Sequence, residues 1–503
     1  SSGIHGNNTI SFYYAPKGIN IDLGFVNNDA ILSDGTIGRV INDGYDKVET
    51  YVRNINNIIG TSNYSDILKG NSDKNIINGL GGHDTIYGIG GENTLYGGTG
   101  NDTIYTAYTA TSKKAIGQRG DVVYGGRGTD TLVGSFNEDF LIGGEEENNA
   151  DVETDWIDYS NLVLGANDYG ISVNLEQTTN FTDTGDRDYL DGNYSQVIRL
   201  DSNGNEIVSQ FDYISQIENI TGSSGDDTFT GNTSQNSILA GAGDDIIYYT
   251  RGLDYYDGGN HTTSSGQGSG TPSVGGGDWI SLAKETTTTV NFDLYNSSVG
   301  ANITNSSATV TNIENIIGYN GVQATTGWGT DSNNTFVMYA GNDSIIGRQG
   351  NDVYDLGDGN DAAFTSYGND TVIGGAGIDR LDYTNLYSSA NQANIIILTN
   401  QDLNGDGDIL DTNETVTLQT DITVQGLGTL TDGTYTFFKI RDGRTDFFDY
   451  LYREADGTAD IEIFYLTNIT AQADIFSGDA DANTVNAYAG NDTVYGQGGN
   501  DII

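Results

Sequence analysis

The chain of 503 residues contains no cysteine, only two prolines and only three histidines. Without cysteine there are no disulfides and no thiolate metal sites, so a secreted form must be held together by something else. Glycine is abundant, at 71 residues, and glycine with so little proline is typical neither of collagen nor of a flexible linker. No apolar run reaches about 18 residues, which argues against a transmembrane helix.

Basic residues are also scarce. Twenty lysines and arginines face 70 acidic residues, giving a formal net charge of −50. No basic patch is available to meet phosphate, so we expect neither nucleic acid nor membrane insertion. The acidic residues recur beside glycine at fixed intervals, which favours a polymer filled with cations over a disordered acidic tail.

Glycine and aspartate recur together in a nine-residue period. Two units read Gly-Arg-Gln-Gly-Asn-Asp-Val-Tyr-Asp (347–355) and Gly-Gly-Ala-Gly-Ile-Asp-Arg-Leu-Asp (374–382). Both follow the pattern G-G-x-G-x-D-x-U-x, in which U is a large apolar residue. The sixth positions define four blocks: Asp66, Asn75, Asp84, Asn93, Asp102, Asp121, Asp130 and Asp139; Asp227, Asn236, Asp245, Asp254 and Asp278; Asn334, Asp343, Asp352, Asp361, Asp370 and Asp379; and Asp474, Asn483, Asp492 and Asp501.

Each nine-residue unit has a direct structural interpretation. Its glycines permit positive φ and a tight turn, and its last three residues form a short strand whose middle side chain points inward. Two units make one coil of a right-handed parallel β-roll, and each turn stacks on the turn eighteen residues later. Between stacked turns lie backbone carbonyls and carboxylates, an all-oxygen environment that suits Ca²⁺ better than Mg²⁺.

The repeats resemble the RTX (hemolysin-type) family of calcium-binding β-rolls. The resemblance implies type I secretion of an unfolded chain, folding on extracellular calcium, and roughly ten to twenty bound Ca²⁺ ions. It implies these metal ligands: Asp66, Gly82, Asp84, Gly100, Asp102, Asp121, Gly128, Asp130, Asp139, Gly225, Asp227, Gly243, Asp245, Asp254, Gly341, Asp343, Gly350, Asp352, Gly359, Asp361, Gly368, Asp370, Gly377, Asp379, Asp474, Gly490, Asp492, Gly499 and Asp501.

Some units depart from the pattern. Asparagine replaces the sixth-position aspartate at Asn75, Asn93, Asn236, Asn334 and Asn483. We expect calcium sites at these units to be weaker or empty. The alternative for the whole chain is a glycine-rich solenoid without metal, in which crowded carboxylates would repel one another by several kcal/mol per pair at low effective dielectric.

The segments between the blocks are also related to one another. Blocks end in phrases such as Asp-Trp-Ile-Asp (155–158), and the next block is entered through Ile-Glu-Asn-Ile (217–220 and 313–316). The sequence therefore predicts an all-β fold of several β-rolls in series, joined by β-sandwich-like capping segments. The predicted domains are an N-terminal cap (1–60), rolls at 61–157, 223–280, 329–383 and 469–503, linkers or caps at 158–222 and 281–328, and a β-rich insert at 384–468.

The insert contains a second candidate calcium motif. Asp402, Asn404, Asp406 and Asp408 match positions 1, 3, 5 and 7 of an EF-hand-like loop. Glu414 lies one residue beyond the position at which an EF-hand loop places its bidentate glutamate. An acidic surface turn is the alternative interpretation.

Outward positions of the first block form rows of threonine and tyrosine, such as Thr85 with Tyr87 and Thr103 with Tyr105. Such rows bind polysaccharide in one interpretation and are ordinary β-surface in the other. For catalysis the signals are weak: the histidines lie far apart, and neither H-E-x-x-H nor G-x-S-x-G occurs. We therefore expect no enzymatic activity from this stretch.

Three classes of function stay open at this stage. The first is a structural subunit of a bacterial surface layer, sheath or filament, secreted and assembled with itself into an array or fibre through calcium. The second is a section of a large RTX adhesin, and the third is the calcium-folding tail of a secreted enzyme. The chain stops inside a repeat (496–503), which we interpret as a processed product or a piece of a longer protein.

Overall fold

The fold is described from a computed structural model. It describes residues 8–24, 37–45, 49–107, 120–135, 137–144, 154–162, 164, 168–182, 190, 192–201, 203–260, 277–283, 291–295, 301–304, 308–318, 322–365, 368, 370–382, 395–397, 414–418, 422–424, 428–430, 433–441, 448–452, 463–465, 475–478, 481–488, 492–496 and 498–503. These residues form strands and turns, which confirms the predicted all-β class. They fall into two compact units, Ser1–Ala242 and Gly243–Ile503. Within the described residues no helix is long and apolar enough to cross a membrane.

The first unit contains two parallel ladders of short strands, as the β-roll prediction requires. One ladder consists of Thr9–Ser11, Asn57–Ile59, Ile76–Gly81, Thr94–Thr99, Val122–Arg127, Phe140–Ile142 and the end of Glu206–Ser215. The other consists of Asn20–Asp22, Ile67–Lys69, Thr85–Tyr87, Thr103–Tyr105, Thr131–Val133, Trp156–Asp158, Asn219–Thr221 and Ser237–Ala242.

The interior of this unit is a stack of eighth-position side chains. Ile86 pairs with Ile104 eighteen residues later, and Ile104 pairs with Leu132 twenty-eight residues later. All three are fully buried. Burying such a side chain contributes about 1.5–3 kcal/mol, so the apolar stack holds the two ladders together while polar residues point outward.

The segment predicted as a linker, 158–222, joins both ladders. Trp156–Asp158 pairs directly in parallel with Asn219–Thr221, so that ladder continues past the insertion. The inserted strands Glu206–Ser215, Gly192–Asp201 and Asp168–Asn174 pair antiparallel in that order, with Thr179–Phe181 on the middle strand. At the two edges of this insert, Glu206–Ser215 pairs in parallel with Phe140–Ile142 of the other ladder, and Asp168–Asn174 pairs in parallel with Thr228–Thr230.

This antiparallel insert covers one outer face of the first unit. Tyr194 and Leu190 pack with Phe140, and the partly buried Tyr96 belongs to the same cluster. The tyrosine row that contains Tyr96 is therefore partly covered. At the N-terminus, Ile37–Asn42 likewise pairs antiparallel with both Asn20–Asp22 and Thr50–Arg53.

The second unit repeats this plan. One ladder holds Ile246–Tyr248, Trp279–Ser281, Asn315–Ile317, Thr335–Val337, Val353–Asp355, Thr371–Ile373 and Phe448–Tyr452, and a further run holds Ile395–Ile397, Ile475–Ser477 and Thr493–Tyr495. The opposite ladder holds Tyr255–Asn260 with Thr309–Thr311, and then Asn291–Asp293, Thr326–Trp328, Ser344–Ile346, Ala362–Phe364, Arg380–Asp382, Ile463–Tyr465 and Thr484–Asn486.

Antiparallel strands again join the parallel runs. Ala301–Thr304 lies between Asn291–Asp293 and Thr309–Thr311. Gly433–Arg441 pairs with Phe448–Tyr452, Glu414–Leu418 and Ile395–Ile397. Two small pairs complete the unit: Asp358–Gly359 with Ala376–Gly377, and Ile422–Val424 with Gly428–Leu430. The domain boundaries drawn from the sequence stay predictions.

The buried stack gives a direct stability prediction. In the calcium-loaded chain, Ile104→Ala removes a fully buried side chain and should lower the free energy of unfolding by about 2–5 kcal/mol. Thr103→Ala is the matched control, because Thr103 lies on the outward side of the same strand and should change it by about 0.5 kcal/mol or less. Urea unfolding of both variants checks this, and equal losses would contradict the inward stack.

Candidate calcium-binding corners

Glycine makes the corners between strands possible. Gly82 and Gly100 adopt φ values of +127° and +125°, a region that side chains with a Cβ rarely enter. A Cβ at Gly100 would also collide with the carbonyl oxygen of Gly82. Consecutive corners therefore approach each other through backbone alone, and the carbonyl of each corner faces the next one.

The sixth-position aspartates form columns along these corners. The main-chain N–H of Asp66 donates to Oδ1 of Asp84, and that of Asp84 donates to Oδ1 of Asp102, at 2.8 and 2.7 Å. In the second unit Asp343, Asp361 and Asp379 form the same chain of bonds at 2.6 and 2.8 Å. These bonds fix one oxygen of each carboxylate and turn the other toward the corner.

The second carboxylate oxygen creates the demand for a cation. The Oδ2 atoms of Asp84, Asp102 and Asp361 are buried and accept no hydrogen bond among the described residues. A Cβ at Gly79 would strike Oδ2 of Asp84 and would lie 2.6 Å from the carbonyl oxygen of Gly97. Carboxylate and carbonyl oxygens thus converge on one small space, and a buried carboxylate oxygen without a partner is costly.

The donor set fits calcium. No group of three or more acidic or histidine side chains converges within the described part of the chain, so backbone carbonyls must supply many of the ligands. Ca²⁺ accepts six to eight oxygen ligands of mixed type at flexible geometry. Corners built like that of Asp84, with the carbonyls of the neighbouring turn, would hold such an ion and neutralise the column.

The electrostatics of the columns without a cation are unfavourable. Burial raises the pKa of Asp84 to about 8, the charges of Asp102 and Asp66 add to this, and the hydrogen bond from the Asp66 amide opposes it. Burial likewise raises the pKa of Asp227 and Asp361 to about 7, and that of Asp102 and Asp343 to about 6. The charged form of these carboxyls therefore needs a counterion.

Asparagine corners satisfy themselves without an ion. Nδ2 of Asn334 donates to the Glu314 carbonyl at 2.8 Å, and its Oδ1 accepts from the Thr330 amide at 2.7 Å. Nδ2 of Asn75 donates in the same way to the Asn56 carbonyl, and Nδ2 of Asn236 to the Glu218 carbonyl. At Asn75 and Asn334 the neutral amide oxygen faces the corner and the amide nitrogen bonds a main-chain carbonyl. These corners carry no unpaired charged oxygen, which agrees with the expectation of weaker or empty sites.

Several predicted aspartates already have protein donors on their second oxygen. Oδ2 of Asp66 accepts from the Thr61 amide, and Oδ2 of Asp227 accepts from the Ser223 amide. Oδ2 of Asp139 accepts from the Ser135 hydroxyl, and Oδ2 of Asp254 accepts from the Tyr256 hydroxyl. These corners have less need of calcium than those of Asp84 or Asp361.

The columns also contain acidic residues that sequence reasoning did not assign as ligands. Asp155 accepts from the Asp130 amide, Asp212 from the Asp139 amide, and Asp278 from the Asp245 amide. Glu218 and Glu314, both from the Ile-Glu-Asn-Ile phrase, accept from the amides of Asp155 and Asp278.

A sequence signal for the aspartates did exist. Asp155, Asp212 and Asp278 each begin an Asp-aromatic-Ile phrase, which matches the end of the nine-residue unit. Asp155 and Asp212 lack the preceding glycines, and Asp212 lies within the long strand Glu206–Ser215.

The remaining predicted ligands divide by what the structure describes. Asp121, Asp130, Asp245, Asp352, Asp370 and Asp379 are fully buried at corners. The glycine positions Gly82, Gly100, Gly128, Gly341, Gly350, Gly359, Gly377 and Gly499 have positive φ. Asp402, Asn404, Asp406, Asp408, Asp474 and Gly490 lie outside the described residues, so the EF-hand-like loop stays a prediction.

Comparison with known families agrees with this geometry. The profile of the RTX calcium-binding nonapeptide repeat matches residues 60–92, 87–107, 117–148, 221–256, 328–363, 364–382 and 469–503. The chain therefore carries several copies of the RTX calcium-binding nonapeptide repeat. Each of the four blocks of repeats recognised from the sequence contains matched residues, and the repeats bind calcium. Comparison with curated proteins found no match.

The raised pKa values predict how the calcium-free RTX chain responds to pH. Protonated Asp84 and Asp361 favour the folded state because their folded pKa values, about 8 and about 7, exceed the ordinary value of 3.8. Stability should therefore fall as pH rises from about 4 to about 8. Circular dichroism in chelator across this range measures it. The double variant Asp84→Asn, Asp361→Asn should flatten the profile, and stability rising with pH would contradict the account.

At an asparagine corner, introducing a charged carboxylate should lower stability even when calcium is present. Asn334→Asp replaces a donor to the Glu314 carbonyl by an oxygen that repels it, and should lower the free energy of unfolding by about 1–3 kcal/mol in calcium. Asn342→Asp is the matched control, because Asn342 is exposed and uses only its Oδ1, as an acceptor for the Asn360 amide. Chemical unfolding of both variants measures this difference. An unchanged free energy of unfolding in the Asn334→Asp variant would contradict a corner whose hydrogen bonds are complete without an ion.

Proposed function

We propose that this chain is a calcium-dependent extracellular structural protein, a subunit of a bacterial surface layer, sheath or filament. The observation that carries the proposal is the column of buried carboxylates, in which Asp84, Asp102 and Asp361 each present an unsatisfied oxygen to a corner. RTX repeat proteins are typically secreted. Extracellular calcium modules bind with dissociation constants of about 10⁻⁴–10⁻³ M, which matches calcium levels outside cells.

Rigidity follows from neutralising such a column. Two carboxylates one strand spacing apart repel by about 3 kcal/mol at an effective dielectric near 20. Calcium removes this repulsion at corner after corner, and the apolar stack of Ile86, Ile104 and Leu132 then fixes the rungs. A stiff element that forms only outside the cell suits a load-bearing layer, and divalent ions also suit bridging between acidic surfaces of separate copies.

A polysaccharide partner is a second candidate function. Tyr87 and Tyr105 stack in the outward row of one ladder with ring centroids 4.6 Å apart and an angle of 9° between the planes. Flat aromatic rows suit sugar rings, and such a partner favours the section of an RTX adhesin over the surface layer. The calcium-folding tail of a secreted enzyme is the third interpretation, and we propose no catalytic role for the present residues.

Electron microscopy with calcium separates these functions. The purified chain in about 10⁻³ M free calcium should form sheets or fibres that disperse when a chelator is added. Isolated rods under the same conditions would instead support the adhesin section. Far-UV circular dichroism on the same samples is the control, and a spectrum unchanged by the chelator would contradict calcium-dependent folding itself.

A further inference from the structure

The outward row of one ladder in the first unit contains a slot. Along this row Lys69, Tyr87, Tyr105, Val133 and Asp158 are direct neighbours in register. Tyr105 and Asp158 are therefore two strands apart, about 9.5 Å at the ordinary strand spacing. Because valine is much shorter than tyrosine, a depression lies above Val133 between an aromatic face and a carboxylate.

A cavity occupies this depression. It measures about 370 Å³ and is lined by Tyr87, Tyr105, Val133, Asp158 and Asn161, among others. Pockets for small ligands begin at about 300 Å³, so the cavity has room for a single sugar ring. On one side of the cavity the Tyr105 ring is stacked on Tyr87, and the Lys69 ammonium lies 5.0 Å from the centre of the Tyr87 ring.

The polar groups of the slot suit hydroxyl groups. Asp158 accepts the Ser160 amide on Oδ1 at 2.8 Å, which leaves Oδ2 as a strong acceptor. Burial, the neighbouring Tyr87 and the charge of Asp158 raise the pKa of Tyr105, so its hydroxyl stays a donor at neutral pH. The Asn161 amide at the rim offers both a donor and an acceptor.

We propose that this slot binds one pyranose ring of a neutral glycan, with the ring on the face of Tyr105 and its hydroxyl groups toward Asp158 and Asn161. The dimensions agree. A ring stacked about 4 Å from the tyrosine and a hydroxyl about 2.8 Å from the carboxylate together take up about 6.8 Å of the strand separation of about 9.5 Å, and the rest accommodates the hydroxyl group that projects from the ring. An organic cation is less suited, because Lys69 already places a positive charge on the aromatic stack.

Three substitutions test the slot. Tyr105→Ala removes the stacking face, and Val133→Phe fills the depression without changing any polar group. Asp158→Asn keeps the shape and weakens the acceptor. Tyr64→Ala is the matched control, since Tyr64 is an exposed tyrosine of the same unit outside this row. Circular dichroism and thermal unfolding in calcium establish that each variant is folded.

Saturation-transfer NMR on the calcium-loaded full chain provides the test. The probes are the methyl glycosides of glucose, galactose, mannose and N-acetylglucosamine, with tetramethylammonium as the cationic probe. At least one glycoside should bind, and Tyr105→Ala and Val133→Phe should each weaken it by about tenfold or more. Asp158→Asn should weaken it less, and Tyr64→Ala should leave it unchanged.

The contrary outcomes are distinct. The inference rests on the proposed polysaccharide partner and not on self-assembly. If a glycoside binds equally well to the wild type and to Val133→Phe, the slot is wrong and the polysaccharide partner stands. If no glycoside binds the wild type, both the slot and the polysaccharide partner are wrong. Binding of tetramethylammonium alone would contradict the proposed glycan ligand and would assign the slot to an organic cation.

Discussion

Burial of like charges in a column is the constraint on which the rest of this structure depends. The roll brings aspartates such as Asp84 and Asp102 into register one strand apart and removes them from water. One oxygen of each is held by a main-chain amide, while the other has no protein donor among the described residues. A calcium ion at the corner would resolve both the desolvation and the repulsion. On this account the ion would stabilise the fold together with the apolar stack.

The protein also shows how a column can begin and end without an ion. At Asn75, Asn236 and Asn334 a side-chain amide donates to a backbone carbonyl of the segment that precedes the block. At Asp139 and Asp254 a hydroxyl group from Ser135 or Tyr256 caps the carboxylate. Such corners hold through ordinary hydrogen bonds, and we expect them to need less calcium than the corners of Asp84, Asp102 and Asp361.

The nine-residue period predicts much of this arrangement. The spacing of Asp343, Asp352 and Asp361 predicted both the strands and the burial of the carboxylates, because a fixed period fixes the register of a parallel roll. It did not predict that Trp156–Asp158 pairs directly with Asn219–Thr221. That pairing joins residues about sixty positions apart, and a local period carries no information about where a long insertion returns.

Sequence reasoning identified only part of the site for the same reason. Asp155 and Asp212 extend the columns, yet neither is preceded by the glycines that mark a unit. Glu218 and Glu314 accept from the last aspartate amide of a column, a role that depends on a backbone donor and leaves no periodic signal. The tyrosine slot likewise depends on Val133 lying between Tyr105 and Asp158, neighbours that only the register of the ladder reveals.

Anomalous diffraction from crystals of the calcium-loaded chain tests the central claim most directly. The account predicts calcium peaks at the corners of Asp84, Asp102 and Asp361, each within about 2.3–2.6 Å of carboxylate and carbonyl oxygens, and no peak at the corner of Asn334. Intact coils with no metal density beside those aspartates would contradict it.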